Sequence, residues 1–160
     1  GEKDTLPLRG TPCVGQERER MQDFESQAHV RWDCKYHVVF IPKYRRKVIY
    51  GRLKREIGKI LRDLCDQRGI ELVEGHAMED HIHLLLKIPP KYSVSYTVGF
   101  LKGKSAVRIH RELLRERRMT GLHFWATGYW VSTVGRDEGQ VIRYIREQEK
   151  FDQGQGELFE

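Results

Sequence analysis

Residues 81–86 read His81-Ile82-His83-Leu84-Leu85-Leu86, and their alternation decides how the rest of the chain is arranged. In a β-strand, residues i and i+2 point to the same side. His81 and His83 would therefore stand together on one face, with Ile82, Leu84 and Leu86 on the other. Two parallel imidazoles on a rigid backbone are half of a metal site. Taken alone, the same pattern also describes one exposed histidine and one hydrogen-bonded strand histidine.

Working outward, Ile70 to Met78 reads as a strand, Glu79-Asp80 as a tight connection and His81 to Ile88 as the antiparallel partner, ended by Pro89-Pro90. Upstream, Leu53, Ile57, Ile60, Leu61 and Leu64 form one apolar stripe at helical spacing, which predicts a helix from Tyr50 to Arg68 stopped by Gly69. Cys34 to Ile41 is β-branched and aromatic and ends at Pro42, a strand. Lys43, Arg45, Arg46 and Lys47 follow around Tyr44, suiting either a solvated loop or phosphate contact with base stacking.

Downstream, Ser93 caps a second helix to about Leu114, with Val94, Val98, Leu101, Ile109 and Leu113 as core positions. Lys102, Lys104, Arg108 and Arg111 give it a basic face. A turn-rich stretch from Met119 to Gly128 precedes a short β-segment, Tyr129 to Val134. Asp137 and Gln140 have the spacing of a capping pair for a last helix, Glu138 to Phe151. The order strand–helix–strand–strand–helix–strand predicts an α+β fold of the ferredoxin-like or RNA-recognition-motif plan. In that plan an antiparallel sheet has its helices on one face, and His81 and His83 lie on the open face. The extra C-terminal helix places Gln140, Tyr144 and Gln148 at i, i+4 and i+8, a polar line along one side.

The chain has 160 residues, 39% hydrophobic and 32% charged, with a net charge of +6. That bounds one domain with a substantial core and favours a polyanionic partner. Residues 1–20 hold four basic and four acidic side chains, so the positive excess belongs to residues 21–160. Rich in Gly and Pro and without apolar periodicity, residues 1–20 are expected to be a disordered leader or extension ahead of a start at Met21. Residues 152–160 are expected to be a flexible tail. Three dispersed cysteines argue against a disulfide framework and for a reducing cytoplasm. No stretch approaches the roughly 18 apolar residues of a membrane span.

Four stretches together carry a family resemblance: W-D-C-K-Y-H-V-V-F-I-P-K-Y-R-R-K (32–47), D-H-I-H-L-L-L (80–86), G-Y-W-V-S-T-V-G (128–135) and V-I-R-Y-I-R-E-Q (141–148). They resemble the single-tyrosine HUH transposases of the insertion-sequence 200/605 family, over about residues 29–151. The resemblance implies a prokaryotic, cytoplasmic enzyme that cuts and rejoins single-stranded DNA through a 5′-phosphotyrosine. Tyr144 would be the nucleophile, and His81, His83 and Gln148 would be ligands of Mg²⁺ or Mn²⁺. It also implies recognition of hairpins near the element ends and a homodimer in which the tyrosine helix of one subunit completes its partner's site. Lys43, Tyr44, Arg45, Arg46, Lys47, Lys102, Lys104, Arg108 and Arg111 then become DNA-contact candidates. His37, His76, His110 and His123 are assigned structural or surface roles.

Two physical points agree with that chemistry. Two imidazoles and a carboxamide are too few for a closed structural zinc site, which takes four ligands, but suit an open metal that leaves room for phosphate oxygens. A single tyrosine holds one strand end, so handling both ends of an element calls for two chains. Three alternatives stay open: a domesticated nuclease acting on palindromic repeats, a non-catalytic RNA-recognition-type module, and a zinc-structured domain.

Overall fold

A computed structural model describes residues 25–27, 30–113 and 123–158. The leader expected at residues 1–20 lies outside the described residues, as does most of the turn-rich stretch before residue 123. The backbone divides into two units, Gly1–Asp33 and Cys34–Glu160. In the first, strands β1 (Glu25–Gln27) and β2 (Val30–Trp32) pair antiparallel. Each has three residues, too short to produce a visible alternation, and neither is anticipated by the hydrophobic pattern.

The second unit runs β3 (Lys35–Phe40), α1 (Gly51–Gln67), β4 (Glu71–Ala77), β5 (Ile82–Lys87), α2 (Val94–Arg108), β6 (Trp130–Val134) and α3 (Glu138–Leu158). Local chemistry sets the boundaries. Gly69 takes a φ of +65°, and the Ile70 N–H returns to the Cys65 carbonyl at 3.0 Å, closing α1 with the left-handed cap that glycine permits. Ser93 Oγ accepts the Tyr96 N–H at 3.0 Å and opens α2. A π-helical turn, Ile109–Leu113, ends it. The hairpin between β4 and β5 closes with Met78 N–H on the His81 carbonyl at 2.8 Å.

The sheet is antiparallel throughout, in the order β4-β5-β3-β6. This is the βαββαβ plan expected from the sequence. On one face Val38, Phe40, Ile82, Leu84 and Leu86 meet Ile57, Ile60, Leu61 and Leu64 of α1 and Val98 and Leu101 of α2 in the main core. Burial of such side chains supplies about 1.5–3 kcal/mol each.

The opposite face departs from expectation in one respect. It is not open along its length, because α3 lies on it: Ile145 packs with Leu85 and Val134, flanked by Val73, Val141 and Ile142. All six residues of β5 are buried. A strand covered on both faces needs apolar residues on both, which is why Leu85 interrupts the alternation. The start of α3 also differs in detail. Asp137 turns its carboxylate back to the Gly135 N–H at 2.9 Å instead of forming the expected capping pair. Its backbone carbonyl takes the Gln140 and Val141 N–H groups. The helical backbone continues through Gly154 and Gly156 to Leu158, past the expected end at Phe151. No described helix is long and apolar enough to cross a membrane.

Candidate active site

His81 and His83 project from β5 and its entry turn onto the face that α3 partly covers, their ring centroids 4.9 Å apart. His81 Nδ1 lies 2.6 Å from Asp80 Oδ1, and Asp80 Oδ2 accepts Arg45 Nε at 3.1 Å. Burial pushes the Asp80 carboxyl up, but the hydrogen bond and charge of His81, with those of Arg45, outweigh it and hold the group below its ordinary value. Of the two neutral tautomers of His81, the ionised carboxylate favours the one whose Nδ1–H it can accept, with the lone pair on Nε2.

His83 is 5% exposed, and its Nδ1 is 2.9 Å from His37 Nε2 on the neighbouring strand. Burial, and then the positive charges of His81, His37 and His76, push its pKa down to about 4. Burial likewise lowers that of His37. His83 is accordingly neutral near pH 7, the form in which an imidazole binds a metal.

The helix supplies the other half. Ile145 is fully buried, which turns Tyr144 and Gln148 toward the histidines one helical turn apart. The Tyr144 ring lies 6.2 Å from those of both His37 and His83. The side chain is 49% exposed, free to meet a ligand. Arg146 bonds Glu74 at 2.9 Å, and Lys35 bonds Glu138 at 2.6 Å; both ties hold α3 to the sheet. His37, His81, His83, Tyr144, Gln148, Arg45 and Trp130 line one cleft of about 700 Å³. All four residues expected to form the centre are thus brought together, and by a single chain.

The sequence of this constellation matches the family model for IS200-like transposases over residues 30–148. The chain belongs to the IS200-like transposase family. It is 45% identical over 129 residues to the transposase for insertion sequence element IS200 of Salmonella typhimurium, covering 80% of this chain and 85% of that one. It is similar in structure to a Deinococcus radiodurans protein described as a candidate transposase: TM-score 0.61, 32% identity, 78% of this chain and 96% of that one. A REP-associated tyrosine transposase bound to a REP hairpin shares the fold at 13% identity, with a TM-score of 0.54 over 76% of this chain and 70% of that one.

In this IS200-like transposase one histidine departs from the role expected of it. His37, assigned a structural or surface role, lines the cleft and bonds His83 directly. The signal was present in the sequence. Val38 and Phe40 face the core, so His37 and Val39 must face the other side, and the ferredoxin-like plan sets this strand beside the one bearing His83. Trp130, 52% exposed, stands edge-on to His37 at 5.1 Å.

The basic residues fall into different environments. Tyr44 is 75% exposed, flanked by Lys43 and Arg46, each 5.3 Å from its ring. Tyr44 and Arg45 both have positive φ, 61° and 49°, and the strained turn sends Arg45 into the cleft. Arg46 and Lys47 are exposed. The α2 group lies in the helix layer on the far side of the sheet. There Lys104 and Arg111 are exposed, while Arg108 is paired with Asp63 at 2.5 Å. Lys102 is committed elsewhere. Its ammonium donates to the carbonyls of Ala126 and Gly128 at 2.6 and 2.7 Å, and burial lowers its pKa.

Among the described residues no three His, Cys, Asp or Glu side chains make a metal cluster. The candidate ligands in the cleft are the imidazoles of His81 and His83, whose Nδ1 atoms are engaged by Asp80 and His37, and the carboxamide of Gln148. That set fits a divalent ion with an open coordination sphere.

Proposed function

We propose that the chain is a metal-dependent single-stranded DNA endonuclease and strand transferase that moves an insertion sequence, with Tyr144 as nucleophile. The observation that carries this is the meeting of Tyr144 and Gln148 from α3 with His81 and His83 from β5 in one cleft. Mg²⁺ or Mn²⁺ held by His81, His83 and Gln148 would supply positive charge to the scissile phosphate. Tyr144 Oη forms the new bond to phosphorus as the P–O3′ bond breaks. The phenol proton is given up to solvent and the departing 3′ oxygen gains one. The products are a 5′-phosphotyrosine and a free 3′-hydroxyl. When a 3′-hydroxyl attacks that linkage, Tyr144 leaves and regains its proton. One phosphoester replaces another at each step, so no nucleotide cofactor is required.

Hairpin-forming DNA is the ligand class we assign, in line with the hairpin held by the REP-associated relative. The 45% identity to an insertion-sequence transposase favours mobility over a domesticated role on palindromic repeats. A homodimer would provide the two tyrosines for two strand ends. Since Tyr144 lies beside the His83 of its own chain, such a dimer need not exchange helices to complete a site. The RNA-recognition alternative needs an open sheet face for bases, whereas Leu85 there is fully covered.

The test is a gel. With labelled single-stranded hairpin DNA and Mn²⁺, the protein forms an SDS-resistant adduct that Tyr144→Phe and His81→Ala abolish. An adduct surviving either substitution overturns the mechanism.

A further inference from the structure

We infer that His37 is a positioning residue for His83, fixing which ring nitrogen His83 presents to the cleft; this rests on the metal reading above. The two rings are 21° from parallel with centroids 5.2 Å apart, while His37 Nε2 and His83 Nδ1 are 2.9 Å apart. The centroid distance leaves little beyond the nitrogen–nitrogen gap and the two ring radii. The imidazoles therefore lie end to end, and the hydrogen bond runs in their common plane, where the sp² lone pair points.

One proton is shared across that bond, so the tautomers are coupled. If His83 Nδ1–H donates to His37 Nε2, then His83 Nε2 carries a lone pair and can take a metal. The opposite arrangement, His37 Nε2–H donating to His83 Nδ1, leaves a proton on His83 Nε2 and blocks it. Which arrangement holds depends on His37 remaining an acceptor at Nε2. His37 is 4% exposed and packed edge-on against Trp130 at 5.1 Å, so its ring is held by packing and cannot swing away to solvent. His81 meets the same requirement by a different device, the carboxylate of Asp80 on its Nδ1. Each ligand is thus oriented through its Nδ1, one by a carboxylate and one by a second imidazole. A partner on the far nitrogen of a ligating histidine sets ring orientation and raises metal affinity by about tenfold to a hundredfold.

The test uses the full chain with ¹⁵N-labelled histidine. Metal-free wild-type protein has His83 protonated at Nδ1, read from its ring nitrogen shifts, and binds Mn²⁺ in a titration followed by electron paramagnetic resonance. His37→Phe keeps the ring shape against Trp130 but loses the acceptor; His83 then shifts toward the Nε2–H form, and Mn²⁺ affinity falls about tenfold to a hundredfold. His37→Gln retains an oxygen acceptor and restores most of the affinity. Thermal melts of both variants separate these effects from unfolding. An unchanged His83 tautomer in His37→Phe overturns the inference. So does a His37→Gln protein as defective as His83→Ala, which would make His37 itself a ligand. Wild-type protein with the expected tautomer but no Mn²⁺ binding would instead overturn the metal reading.

Discussion

The Tyr144 ring stands edge-on to that of His83, centroid to centroid 6.2 Å, although the two lie 61 positions apart in sequence and meet through the seating of α3. That distance depends on how α3 is seated, and the seat is small. Leu85, Val134 and Ile145 are its buried members.

Ile145→Ala should therefore cost more activity than stability. Truncating a buried isoleucine costs about 2–5 kcal/mol. The loss here falls on one helix outside the main core, so α3 loosens before the sheet does. Limited trypsin digestion should cut after Arg143 or Arg146 well before global unfolding, and adduct formation should fall at least tenfold. Cleavage appearing only at the global midpoint would contradict a separately seated helix.

His83 should remain neutral where an ordinary histidine titrates. Burial, followed by the charges of His81, His37 and His76, sets its pKa to about 4, below the unfolded value near 6.5. The folded state resists that proton, so the associated stability is present above about pH 6.5 and is lost as pH falls toward 4. Ring NMR shifts of His83 should stay flat from pH 8 to 5, and His83→Gln should reduce the acid sensitivity of unfolding.

Lys102 and the Arg46–Lys47 pair should separate when DNA affinity is measured against salt. Lys102→Met removes the donor to the Ala126 and Gly128 carbonyls, costing about 0.5–1.5 kcal/mol of stability with the salt slope unchanged. Arg46→Ala and Lys47→Ala should each lower the log–log slope by about 1 with little effect on melting. A reduced slope for Lys102→Met would return it to the DNA surface.

Cys65 should resist alkylation in the native protein. Burial, then the neighbouring Asp66 charge, pushes its thiol up to about 12, leaving almost no thiolate at pH 8. Iodoacetamide followed by mass spectrometry should find Cys34, which is partly exposed, modified before Cys65. Denaturation should remove the difference.

The α1 stripe, the glycine stop at Gly69 and the Ser93 cap were legible because each is a local signal with a local cause. So was the βαββαβ order, from which the His81–His83 face follows. His37 was harder to read. Its alternation was visible, but its importance comes from a neighbour 46 positions away. In sequence Leu85 is simply part of an apolar run, although in the fold it marks the place where α3 lands. Lys102 shows a different limit: a basic helix face says nothing about carbonyls folded back onto it by a loop 24 residues later.

Tyr144 and Ile145 are adjacent in the chain, one exposed and one fully buried. A DNA strand joined to Tyr144 would therefore be anchored mechanically through the neighbouring residue. Any pull on the strand would load the seat at Leu85 and Val134 before it reached the main core on the other side of the sheet. A folded strand end drawn away from its site would tug on the part of the protein that can yield without unfolding the rest.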